Sequence, residues 1–203
     1  MLNMETTDKT RAPKYNVHIY LESNPNPNSL KFVTNLVLIP EGESFDFPDA
    51  DSAAHAPLAQ ELFDIEHVER VFYMNNFITV TKSEAVEWVE IQDKVKQHIK
   101  QYLEEGKPIL IDDAMANGSA IQEDDSESVK KIKGILDEYI RPAVEQDGGA
   151  ISFHSFDDGV VKVLLQGSCS GCPSSTVTLK AGIENLLKTM LPNEVKEVEA
   201  VGV

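Results

Sequence analysis

The chain has 203 residues, of which 41% are hydrophobic and 26% are charged, and its formal net charge is -16. This composition is typical of one large or two small globular domains, and no apolar run is long enough to cross a bilayer. A charge this negative disfavours a nucleic-acid binder, because such proteins neutralise phosphates with Lys and Arg. Residues 1–15 show neither a signal-peptide core nor an acid-free presequence, so we expect a cytoplasmic protein without a membrane partner.

The first 103 residues combine strand patterns with helix patterns. Strands are predicted over residues 17–21 and 30–38, on either side of an Asn- and Pro-rich turn at residues 24–28. A hairpin is predicted over residues 68–81. Helical spacing predicts a short helix at Leu58, Leu62 and Ile65, and a longer amphipathic helix. The apolar positions of the longer helix are Trp88, Ile91, Val95, Ile99 and Tyr102.

Residues 104–127 contain eight acidic residues against one lysine. Such a composition predicts a flexible acidic linker between a first domain, residues 1–103, and a second domain, residues 128–203. In the second domain, apolar spacing predicts a helix over 129–140, and turn residues predict a hairpin that turns at Asp158 and Gly159. A second helix is predicted from Pro173, followed by a last strand within 194–203. We therefore expect an α+β fold of two small domains, each a mostly antiparallel sheet packed with helices, with the order αββαβ in the second.

The chain contains two cysteines, Cys169 and Cys172, in a loop between a predicted strand and a predicted helix. A disulfide across so short a loop would add little stability, so we expect the thiols to serve chemistry. Helix N-termini lower the pKa of a nearby thiol, and Cys172 directly precedes the predicted helix start. Gly167 and Gly171 allow a tight loop, so both sulfurs should face outward and bind soft metals.

Counting donors indicates that the site is shared. Structural zinc and iron–sulfur clusters generally need four protein donors, and one chain offers two thiols. The five histidines show no metal-ligand spacing with the cysteines. A second copy of the loop at a two-fold axis would supply the missing thiolates, so we expect a homodimer when the site is filled. Spacing alone leaves iron and zinc open.

A thiol–disulfide oxidoreductase is the main alternative, because thioredoxin-like redox motifs also place CxxC between a strand and a helix. Such a fold would need several βαβ units around the motif. Only one helix and a hairpin are predicted between residue 128 and the cysteines. This order disfavours the redox interpretation.

Three segments closely resemble segments of known protein families. The runs QDGG at 146–149 and GSCSGCPSS at 167–175 resemble the NifU C-terminal (Nfu) domain, and the run at 23–32 resembles the Nfu N-terminal domain. The resemblance implies a non-enzymatic carrier that binds a [4Fe–4S] cluster through Cys169 and Cys172 of two subunits. It also implies that upstream cluster assembly machinery supplies the cluster and that apo iron–sulfur proteins receive it. The N-terminal domain would serve target recognition or modulation.

Overall fold

Two β-sheets organise the residues that the computed structural model describes, which are 15–111, 125–170 and 173–201. We call residues 15–111 the N-terminal unit and the described residues from 125 onward the C-terminal unit. The strands of the N-terminal unit are β1 Ile19–Ser23, β2 Ser29–Thr34, β3 Ser44–Phe47, β4 Val68–Met74 and β5 Phe77–Lys82. Its helices are a 3-10 turn at Asp51–Ala53, α1 Pro57–Phe63 and α2 Trp88–Glu104.

The N-terminal sheet is antiparallel, with the strand order β1-β2-β5-β4-β3. Its core contains the predicted apolar face of α2, including the buried Val95 and Ile99. The helix begins later than a cap at Ser83 would place it. Glu87 and Glu90 form a capping box in which the Glu87 backbone N–H donates to Glu90 Oε1 at 2.9 Å.

Strand β3 was not predicted, because its surroundings read as a polar, Pro-containing stretch. The strand pairs with β4 and buries Phe45 and Phe47 in the core. Asp46 lies between them and accepts a hydrogen bond from Arg70 Nε at 2.9 Å. Strand alternation over only four residues is too short a pattern to stand out in sequence.

The C-terminal unit has the predicted αββαβ order. Its elements are α3 Glu127–Ile135, a π-helical stretch Leu136–Ile140, α4 Arg141–Gln146, β6 Gly149–Asp157, β7 Val160–Gly167, α5 Pro173–Met190 and β8 Glu197–Val201. Strands β6 and β7 form an antiparallel hairpin, and β8 joins β7 in parallel after the α5 crossover. The predicted α+β fold class is confirmed.

The helical segment continues past Pro142, but it is irregular just before this residue. The π-helical stretch precedes it, and Pro142 lies in the first turn of α4, where a missing backbone N–H costs nothing. At the other end of the segment, Ser126 caps α3 by accepting a hydrogen bond from the Val129 N–H at 3.3 Å.

Most of the predicted acidic linker lies outside the described residues. Its described beginning is attached to the N-terminal unit, since Ile111 N–H donates to the His55 carbonyl at 2.9 Å and Ile109 packs against the core. The predicted domain limits stay a prediction. Across the described ranges, every helix is too short or too polar to cross a membrane.

Candidate metal centre at the cysteine loop

The cysteine loop, residues 167–172, connects β7 to α5, and the structure describes residues 167–170 of it. Gly167 opens the loop with φ +65°, a conformation that favours glycine. A Cβ at this position would lie 2.8 Å from the Gly148 carbonyl oxygen and 2.9 Å from the Phe72 ring. Glycine is therefore required both by the backbone conformation and by close packing.

Hydrogen bonds hold the described part of the loop in one shape. Ser170 N–H donates to the Gly167 carbonyl at 3.1 Å, and Ser170 Oγ donates to the Leu165 carbonyl at 2.8 Å. Ser168 Oγ donates to the Asp147 carbonyl at 2.5 Å, which ties the loop to the turn that precedes β6. The two motif-bearing segments of the C-terminal unit are thus neighbours in space.

Cys169 is buried, with 7% of its surface exposed, and belongs to the apolar core of the C-terminal unit. Its Sγ packs so closely on Gly149 that a Cβ there would lie 2.9 Å from the sulfur. Burial raises the pKa of the Cys169 thiol to about 11, because the thiolate would lose its hydration, and the contact with Ser168 Oγ offsets only part of this effect.

The prediction that both sulfurs face outward is therefore wrong for Cys169. Packing against Gly149 removes the sulfur from water, and desolvation outweighs any benefit from the start of α5. Cys172 lies outside the described residues, so its predicted place in the site stays a prediction.

Asn26 is a member of this site that the sequence reasoning missed. Its Nδ2 donates to the Ser168 carbonyl at 3.0 Å, although the residue belongs to the N-terminal unit. Asn26 Oδ1 accepts from the Asn28 N–H at 3.0 Å, so one side chain both closes its own turn and reaches the cysteine loop. Turn chemistry accounts for the Asn and Pro residues of this segment, which concealed the second role.

A cavity of about 420 Å³ lies beside Cys169, between the two units. Pro25 and Asn26 of the N-terminal unit form one wall. The rest of the lining comes from Ala143, Val144, Asp147, Ser168, Cys169, Thr178 and Leu179. Cys169 therefore lines a partly open space that both units build.

The described side chains do not form a metal site by themselves. Among residues 15–111, 125–170 and 173–201, no three His, Cys, Asp or Glu side chains are grouped closely enough to hold a metal ion. Cys169 therefore needs donors from outside these ranges, from another chain, or from both.

Both units match known protein families. Residues 19–106 match the family described as scaffold protein Nfu/NifU N terminal, and residues 132–199 match the NifU-like domain. A Drosophila erecta protein, "NFU1 iron-sulfur cluster scaffold homolog, mitochondrial", is 43% identical over 190 residues, which cover 94% of this chain and 67% of that protein. The chain belongs to the Nfu/NifU iron–sulfur cluster scaffold family. A Drosophila willistoni relative of the same name is 45% identical over 188 residues, 93% of this chain.

Solved structures show more distant similarity. A NifU-like protein from Saccharomyces cerevisiae is 22% identical, covers 56% of this chain and 97% of its own, and has a TM-score of 0.44. Protein SAV1430 from Staphylococcus aureus is 21% identical, covers 40% of this chain and 96% of its own, and has a TM-score of 0.36.

The predicted cytoplasmic location is wrong, because these family members are named mitochondrial proteins. The prediction rested on the lack of a targeting pattern in residues 1–15. Targeting segments are separate from folded domains, so the sequence of the domains does not indicate the compartment. The chain spans 65% of the length of the Drosophila willistoni relative.

Proposed function

We propose that this protein is a mitochondrial carrier of a [4Fe–4S] cluster, which Cys169 and Cys172 of two subunits hold together. The donor count carries the proposal. The chain has two cysteines, and its described residues form no other metal-binding group. Four thiolates from two copies meet the requirement of such a cluster, which is the cargo of a scaffold rather than a resident catalyst.

Loading the cargo demands that Cys169 lose a proton. A thiol with a pKa of about 11 is almost fully protonated at neutral pH, and iron binding competes with that proton. Cys169 also lies in the apolar core, so its sulfur must leave the contact with Gly149 to meet iron. Cluster binding therefore releases protons and rearranges the loop, and both changes weaken retention of the cluster.

Weak retention suits delivery. Each thiolate of an apo iron–sulfur protein forms a bond to iron as a bond to Cys169 or Cys172 breaks, and the released cysteine takes up a proton. The protein thus passes intact cargo from the assembly machinery to its clients without a catalytic group. A thiol–disulfide exchange role is disfavoured, because the attacking group in that chemistry is a thiolate and Cys169 is a buried thiol.

Anaerobic reconstitution with iron and sulfide tests the proposal. We expect a brown product with about four iron and four sulfide per dimer, and loss of both in Cys169→Ser and in Cys172→Ser. His154→Ala is the control, since His154 is an exposed candidate donor of the same unit. A colourless wild-type product, zinc retained in preference to iron, or full cluster binding in Cys169→Ser would refute it.

A further inference from the structure

The N-terminal unit holds the C-terminal unit through side chains that donate to backbone carbonyls. Asn26 Nδ2 donates to Ser168 at 3.0 Å, and Thr79 Oγ1 donates to Gly148 at 2.6 Å. Both acceptors belong to the two segments that form the cysteine site. These two contacts therefore reach the site itself.

Lys31 adds a charged contact to the same region. Its Nζ donates to the carbonyls of Glu145 and Gln146 at 3.2 and 3.1 Å, at the C-terminal end of α4. A cation at this end of a helix meets the partial negative charge of the last carbonyls. Glu22 at 3.1 Å and the Phe77 ring at 4.5 Å hold the ammonium group in place.

An apolar patch lies on the same face of the N-terminal sheet as Lys31 and Thr79. Alternate residues of β2, β4 and β5 face away from α1 and α2, and they form a separate buried cluster with a residue of β6. The cluster consists of Val33, Phe72, Met74, Phe77 and Ala150. Without the C-terminal unit, this face of the sheet would be exposed to water, which favours the docked arrangement.

We propose that this docked arrangement is a closed state, in which the N-terminal unit covers the cysteine loop and must move away before two loops can share a cluster. The inference rests on the proposed function. Two loops that hold one cluster must approach within a few ångströms of a common centre. Asn26 contacts the loop at Ser168, and Pro25 and Asn26 line the cavity beside Cys169, so the N-terminal unit blocks the approach of a second loop from that side.

Two substitutions should each remove one hydrogen bond between the two units while nearly preserving the shape of the side chain. Asn26→Asp keeps the Oδ acceptor for the Asn28 N–H but replaces the donor to Ser168 by a carboxylate oxygen, which repels the carbonyl. Thr79→Val keeps the shape of the side chain and removes the hydroxyl that donates to Gly148. Because the two act on different carbonyls, one variant that fails to fold leaves the other informative.

Matched controls place the same changes elsewhere in the N-terminal unit. Asn28→Asp adds the same charge to the same turn, where the side chain accepts from Lys82 Nζ at 3.2 Å. Thr81→Val makes the same change two residues further along β5. Both controls leave the bonds from Asn26 and Thr79 intact.

Hydrogen exchange and alkylation of the cluster-free chain of 203 residues test directly for the closed state. In Asn26→Asp and Thr79→Val, we expect amide exchange at residues 168–170 and iodoacetamide labelling of Cys169, resolved by mass spectrometry, to rise about fivefold or more. Both controls should match the wild type. Folded variants with unchanged exchange and labelling would overturn the proposal.

Cluster loading at fixed iron and sulfide supplies the second measurement. The opened variants should load faster than the wild type, and an unchanged loading rate in variants that exchange faster would overturn the gating role. If the wild type binds no cluster at all, the proposed function fails. The exchange comparison is independent of iron and still decides whether the N-terminal unit covers the loop.

Discussion

The side-chain amide of Asn26 donates to the carbonyl of Ser168, which lies 142 positions further along the chain and directly before Cys169. One bond thus joins the Asn- and Pro-rich turn of the N-terminal unit to the cysteine loop. Asn26 is buried, with 3% of its surface exposed, so shortening its side chain removes a donor from a site that is only partly open to water through the adjoining cavity.

Asn26→Ala should lower the free energy of unfolding by about 1–3 kcal/mol, because the buried Ser168 carbonyl and the partly buried Asn28 N–H both lose a partner. Urea unfolding followed by circular dichroism measures the loss. Asn185→Ala, at an exposed position of α5, is the control and should change stability by less than about 0.5 kcal/mol. Equal stability of the two variants would contradict the role assigned to Asn26.

Gly167→Ala should destabilise the chain by about 2 kcal/mol or more. The position has φ +65°, and the new Cβ would meet the Gly148 carbonyl oxygen and the Phe72 ring at under 3 Å. Gly182→Ala in α5 is the matched control, since a Cβ there meets nothing within 4 Å. It should stabilise the helix by about 0.5–1 kcal/mol, so thermal unfolding should shift in opposite directions for the two variants.

Alkylation of Cys169 should depend on pH well beyond the range of an ordinary thiol. Burial raises its pKa from 9.0 to about 11, so the rate should still be rising between pH 9 and pH 11. Iodoacetamide labelling of the Cys172→Ser variant measures this rate for one sulfur. A plateau near pH 9 would mean that the thiol is hydrated.

The same pKa shift predicts how stability changes with pH. The folded chain holds the Cys169 proton more tightly than the unfolded chain, so this contribution is present below pH 9 and is lost as the pH rises towards 11. Cys169→Ala removes the titrating group, and its unfolding free energy should fall less between pH 9 and pH 11 than that of the wild type. Parallel curves would contradict the burial of the thiol.

Asp46→Ala should cost about 3 kcal/mol, because it leaves the largely buried Arg70 guanidinium without its carboxylate. Removing both charges in Asp46→Ala with Arg70→Met should recover part of that loss, since no unpaired charge remains. Chemical unfolding of the single and double variants gives the coupling energy. A double variant less stable than the single one would show that the pair contributes through packing instead.

Much of the fold could be predicted from local pattern. The buried face of α2 and both hairpins follow from periodicity and turn residues, which depend on neighbours along the chain. The docking of the two units could not be predicted this way, because its acceptors are backbone carbonyls of Ser168, Gly148, Glu145 and Gln146. Every residue has a carbonyl, so these positions carry no side-chain signal.

One signal for the docking was nevertheless present. Strands β2, β4 and β5 contain adjacent apolar residues, such as Phe32 beside Val33 and Phe72 beside Tyr73. A strand that faces water on one side alternates, whereas adjacent apolar residues indicate a sheet covered on both faces. The helices cover one face, and the C-terminal unit covers the other.

The two cysteines, their spacing and the shortage of donors are properties of the sequence alone, because counting thiols requires no coordinates. Only the tertiary structure decided the environment of Cys169. Its burial against Gly149 and the reach of Asn26 to Ser168 depend on contacts between segments far apart in the chain. Desolvation is a property of packing, so the raised pKa of this thiol could be found only once the packing was known.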